Sequence, residues 1–463
     1  MKSKILLYSS LLFFVAIVFT ATNAFSQNVI TIERSRIIEN INVNGESIRK
    51  LYDARLSTGN VTLVCDSAWQ FIDRNEIRAF GNIQIDTQTE HIWTDTLYYY
   101  TDKELSELRG RVIIKQDSTL LFGNKVDYNF LTKEAFFLDN IRLEDTQGTL
   151  VAQSGIYYQR QDSAEFRGNV QLTDSAKYAE SDSLFLNRKK KLTRLFGDIF
   201  VADSINNSIL KGNYLEADSS GRRYIDGNAY LRRISEDTTD TTHIFADEIL
   251  LQEKDSTTFI DAYTQVKVWS EKFSSISDTL LYNSKDELFQ LREEPKAWHK
   301  QIQLTGPYIF VQLDSSKVKQ LTSYFETIAV QEDSATGRLN QIKGDTLVAD
   351  FSNGDISQIS VYPNSEILYH TKGSDGKPDG AMENTSPKTI LSFENGALIR
   401  AWMGKNQGLF LPEYTDLANR RLDGFIWTPE LRPVRPVTNP APKHEPIPIE
   451  RPFKLPKRYT DNK

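Results

Sequence analysis

The chain of 463 residues contains one cysteine, Cys65, three methionines and five histidines. A single cysteine cannot close an intramolecular disulfide, so stability must come from packed secondary structure. His91, His243, His299, His370 and His444 stand far apart, and none has a second His or Cys at metal-ligand spacing. There is no Gly-rich phosphate loop and no nucleophile elbow. Glu90 beside His91 is the nearest approach to a catalytic pair. Neighbours on a strand point to opposite faces, so the two read as separate surface residues. A formal net charge of -7 with no basic face excludes a nucleic-acid role. No long helical period appears after the first 26 residues. These absences leave no enzyme, cofactor or metal to assign.

What is present is a period. A two-residue mark, usually Gly-Asn, recurs at Gly81, Gly110, Asp139, Gly168 and Gly197, each 29 residues after the last. Gly227 follows after 30, and Gly59 is read as a first copy. A period of this size indicates one supersecondary unit copied and stacked. Two and four residues after the marks stand aliphatic pairs: Val61 and Leu63, Ile83 and Ile85, Val112 and Ile114, Ile141 and Leu143, Val170 and Leu172, Ile199 and Val201. Mixed residues such as Thr62, Gln84, Arg142 and Gln171 separate them. That alternation predicts a strand after each mark with one apolar face. A second strand is predicted within each unit, as at Thr96–Tyr100 and Ser183–Leu186, joined by polar turns such as Thr101–Glu104.

The ends differ from the middle. Lys2 and Lys4 precede an apolar run from Ile5 to Thr20, and Ala24 and Ser26 stand where a signal peptidase would cut before Gln27. The expectation is an exported chain, with an uncleaved anchor as the alternative. Removing the two lysines takes the charge from -7 to -9. Nine of the fifteen prolines fall between Pro429 and Pro456, which favours an extended tail. A flexible terminus and a docking segment both fit that composition. Arg188 to Lys191 could meet anionic groups by charge-assisted bonds or form a solvated turn.

The Gly-Asn-aliphatic-x-aliphatic repeat, Asp182-Ser183-Leu184-Phe185, Asp278 to Tyr282 and the run Gly337 to Asp345 resemble the OstA-like family over roughly Leu56 to Met403. The resemblance implies an all-β, elongated β-jellyroll (β-taco) of stacked ~29-residue two-strand units. It also implies a periplasmic carrier, free or associated with the outer membrane, whose apolar groove, lined by the aliphatic pairs, holds the acyl chains of lipopolysaccharide. Implied partners are other OstA-like transport proteins joined by edge strands, an LptD-like outer-membrane translocon, and a second copy head to tail. The expected division is 1–26 signal peptide, 27–55 leader, 56–290 repeats, 291–403 a second β region and 404–463 the tail. About a dozen rungs of about 4.8 Å would make a ridge on the order of 55 Å. Without the resemblance, the aliphatic pairs read as repeat core. A structural or adhesive array, or a β-helix acting on polysaccharide, then remains open.

Overall fold

The computed structural model describes residues 30–445 except 235–240, 272, 315–316, 374–375, 395–396, 414–416 and 438–439. The expected signal peptide lies outside them. The described residues form 32 strands in one continuous sheet, and every strand pairing within it is antiparallel. A β-helix needs parallel rungs, so that reading is excluded.

Most strands are long and bent. Glu76–Asp86 pairs with Glu90–Tyr100, and the ladder shifts register between Phe80 and Ile83. The same shift recurs from Arg109 to Val112, from Arg167 to Val170 and from Phe196 to Ile199. At each shift the chain turns a corner. The half-strand before it belongs to one wall, called here the second wall. The half after it, carrying the aliphatic pair, belongs to the first wall.

This corrects the place of the Gly-Asn mark, which at Gly81, Gly110, Gly168 and Gly197 sits inside a strand as a bulge, while Asp139-Asn140 divides Glu134–Asp139 from Ile141–Glu144. Gly110 has φ +90°, and a Cβ there would lie 2.5 Å from Asp95 Oδ2 on the neighbouring strand. Asp95 Oδ2 instead accepts the Arg111 N–H at 3.0 Å, capping the corner. Only glycine tolerates both the left-handed backbone and the capping carboxylate. Gly59 is not a corner: it forms the tight turn between Glu46–Thr58 and Val61–Phe71.

The period of 29 is therefore two strands and two connections, and each unit adds two rungs to each wall. The expected ridge was too short by half: roughly two dozen passages per wall at about 4.8 Å give a body on the order of 100 Å. Pairing continues past Met403, because Gln407–Pro412 pairs with Pro378–Ser386. One apolar cluster runs between the walls from Leu51 to Leu391.

Candidate functional site

The aliphatic pairs all face the space between the walls, as alternation requires. Ile83, Ile85, Val112, Ile114, Ile141, Val170 and Ile199 are at most 2 % exposed, and Leu63 and Leu143 are buried. Val61, Leu172 and Val201 are partly buried against the same cluster. Opposite them the second wall contributes Leu97, Leu108, Val126, Phe137, Phe166 and Leu184.

The walls meet. Among the described residues the interior holds two small voids, one of about 30 Å³ beside Val61, Leu63 and Ile85 and another of about 30 Å³ beside Ile342 and Ile367. Each has room for about one water. The expected open groove is thus a closed seam in this structure.

The edge of the seam opposite the corners is crossed by polar contacts. Tyr128 Oη donates to Glu90 Oε2 at 2.5 Å, and Lys133 Nζ stands 3.8 Å from the same carboxylate. Tyr157 Oη donates to Gln116 Oε1 at 2.9 Å. Arg188 reaches Thr119 Oγ1 at 2.6 Å and Asp145 Oδ2 at 3.2 Å. Far along the body Lys300 Nζ meets Asp355 Oδ1 at 2.6 Å. Each contact joins a first-wall residue to the second wall, so together they act as latches along the mouth.

Glu90 is the unusual member. It is 1 % exposed, its Oε1 has no hydrogen-bond partner among the described residues, and burial raises its pKa despite Tyr128 and Lys133. The expectation of two surface residues is corrected: Glu90 is buried at the mouth, while His91 on the opposite face pairs with Asp86 at 2.6 Å. The basic turn also divides. Arg188 points into the mouth, whereas Lys189 donates to Arg160 O at 2.7 Å within the turns. The 29-residue spacing of Tyr128 and Tyr157 is the signal that could have announced the latches.

The remaining histidines serve structure. His243 Nδ1 is 2.8 Å from Tyr230 Oη, His299 stacks edge-on to Phe351, and buried His370 has its pKa lowered by desolvation. Cys65 is free and buried, and burial pushes its thiol up to about 12. A thiol so protonated is a poor nucleophile.

The outer face of the first wall carries what the sequence did not announce. Residues 417–437 and 440–445 run back over it towards the N-terminal end, so a described part of the expected tail lies on the body. Leu417 and Leu422 pack on Ile328, Val330 and Leu368. Gln341 Oε1 accepts the Leu422 N–H at 2.9 Å. Gln303 holds the peptide groups on either side of Trp427, accepting the Thr428 N–H at 2.9 Å and donating to Ile426 O at 3.0 Å. Arg435 lies 5.7 Å from the Trp269 ring, and Glu180 accepts the Lys443 and His444 N–H groups at 2.5 and 3.2 Å.

Residues 27–182 match the family described as OstA-like protein. No curated protein matches the chain. The matched stretch includes the first corners, the Glu90, Gln116 and Thr119 side of the mouth, and the aliphatic pairs up to Leu172.

Proposed function

We propose that this chain, an OstA-like protein over residues 27–182 and hence of a lipopolysaccharide transport-type family, holds lipopolysaccharide by its acyl chains between the two walls. On this reading it works in the periplasm and helps deliver the lipid to the outer membrane. The observation that supports it most is the unbroken apolar seam from Leu51 to Leu391. An acyl chain entering the seam replaces wall-to-wall apolar contact with chain-to-wall contact, and gains about 0.8 kcal/mol per methylene leaving water. Opening then costs mainly the latches: the partly exposed pairs Arg188–Asp145 and Lys300–Asp355 contribute only about 0–1 kcal/mol each, and parting Tyr128 from the buried Glu90 about 1–3 kcal/mol. Transport is passive on the protein's side, with no catalytic group and no cofactor.

The ends support a chain of partners. Ile37–Val43 at one end and Gln407–Pro412 at the other are sheet edges bearing exposed Ile38, Leu409 and Phe410. Edge strands of this kind pair with a partner or aggregate. The fitting partners are another OstA-like domain, an LptD-like translocon or a second copy. Cysteines placed on the two edge strands should cross-link to such components in cells.

The closed seam favours one rival, a structural array whose interior is only core. A photo-crosslinking residue at Ile141, Leu143, Val170 or Leu172 separates the two. Capture of lipopolysaccharide there, and none at Arg142 or Gln171 on the outer face, supports the carrier. Absence of capture at all six leaves the array.

A further inference from the structure

The outer face of the first wall holds extended backbone with buried amide and carboxylate side chains, and a side chain of the same kind stands next in the ladder. Gln341, Gln303 and Glu180 are 2, 1 and 3 % exposed, and each accepts backbone N–H groups of residues 417–445. The tail therefore crosses the wall from Pro378–Ser386 to Lys177–Asn187, and at Lys443 it reaches the corner, where Lys443 pairs with Asp198.

The next position in the ladder is Gln171, directly opposite Glu180 in register. Its Oε1 is buried and has no hydrogen-bond partner among the described residues. From Gln171 the same cross-strand row runs through Val151, Arg142, Phe122 and Ile113. These five residues help line a groove of about 550 Å³ on the outer face. An unpaired buried acceptor facing an apolar-floored groove is a costly arrangement unless something occupies it.

We infer that this groove is a receptor for extended peptide and that its occupant is the chain's own segment Pro446–Pro456. The segment begins two residues after His444, which already touches Glu180. Crossing the strands from Glu180 to Ile113 takes about 24 Å at about 4.8 Å per strand. An extended polyproline-type chain covers that in about eight residues. The sequence Pro446-Ile447-Pro448-Ile449 offers apolar side chains for Val151, Phe122 and Ile113. Ile447 carries the first free N–H beyond Pro446, and Gln171 Oε1 is its acceptor. Prolines reduce the entropy lost on ordering the segment. This inference is independent of what the seam between the walls carries.

The test uses the full chain with p-benzoylphenylalanine at Phe122 and peptide mapping by mass spectrometry. The expected adduct is intramolecular, joins position 122 to a peptide within 446–456, and has a yield independent of protein concentration. Gln171→Ala should lower that yield about five- to tenfold, the loss expected for one buried hydrogen bond. Gln171→Glu, which places the same acceptor there as Glu180, should restore it, while circular dichroism verifies that both variants remain folded. Adducts with a second copy, with co-extracted lipid, or with no part of 446–456 would overturn the proposal. So would an unchanged yield in Gln171→Ala.

Discussion

The strands between Val61 and Ile234 and those between Thr241 and Pro412 follow the same bent course, but their corners are built differently. In the first region glycine occupies most corners, as at Gly81, Gly168 and Gly227. In the second the same left-handed pair is Thr264-Gln265, Glu293-Glu294 and Phe325-Glu326, with φ values from 47° to 64°. Non-glycine residues in that conformation cost roughly 1–2 kcal/mol each. The second region also has its outer face covered by residues 417–445, whose burial of Ile328, Val330 and Leu368 offsets such strain. One architecture thus has two sources of stability: strict local geometry in the first region, and in the second an added covering layer whose apolar packing lies there.

The largest effects should ignore this division, because one core spans both regions. Leu108→Ala and Leu347→Ala, both at most 1 % exposed, should each cost about 2–5 kcal/mol in urea unfolding. Two resolved transitions, only one of them moved by each variant, would show that the regions fold apart.

The part of the covering layer that Gln303 holds should matter to the second region alone. Gln303→Ala removes the acceptor of the Thr428 and buried Trp298 N–H groups and the donor to Ile426 O, and should cost about 1–3 kcal/mol. Hydrogen exchange should accelerate in Ile302–Thr305 and Arg338–Ser352 and remain unchanged in Leu105–Gln116. Uniform acceleration would contradict a local role.

Corner chemistry gives a smaller and oppositely signed pair. Gly197→Ala should destabilise by about 1–2 kcal/mol, through its φ of 72° and the Asp182 carboxylate beside it. Thr264→Gly relieves the same backbone strain, offset by greater unfolded-chain entropy, and should lie between neutral and about 1 kcal/mol stabilising. Equal losses in both would mean that the corners are not equivalent.

The smallest effect is a contrast in pH response. Burial raises the Glu90 pKa, so folding disfavours its ionised form. That penalty is absent below the ordinary Glu value of 4.5 and grows as pH rises through the folded pKa. Burial lowers the pKa of His370 and of His243, so their penalty is absent above 6.5 and grows as pH falls through the folded values. Glu90→Gln should therefore raise the melting temperature by a few degrees at pH 8 and not at pH 4. His370→Phe should gain at pH 5 relative to pH 8. Gains independent of pH in both variants would assign the effects to packing.

The two regions were unequally legible for the same reason. Alternation and the 29-residue period expose the all-β class, because inward aliphatics repeat wherever walls must pack. The corner role of Gly-Asn was hidden, since a glycine pair looks alike in a turn and in a bulge, and Gly59 is in fact a turn. Beyond Gly227 the corner persists while its sequence signal vanishes into Thr264, Glu293 and Phe325. The covering layer was masked by its prolines, although Leu422, Phe425 and Trp427 among them were unspent apolar residues. The latches depend on Tyr128 and Glu90, 38 positions apart. No local pattern links residues brought together only when two walls close.

The central claim is that the seam between the walls, and not the outer face, is where lipid lies. Photo-crosslinking residues at Ile141 and Val170, compared in cells with Arg142 and Gln171, test it most directly. Lipopolysaccharide adducts should form at the two inward positions and at neither of the two outward ones. Equal capture from both faces, or capture from neither, would contradict it.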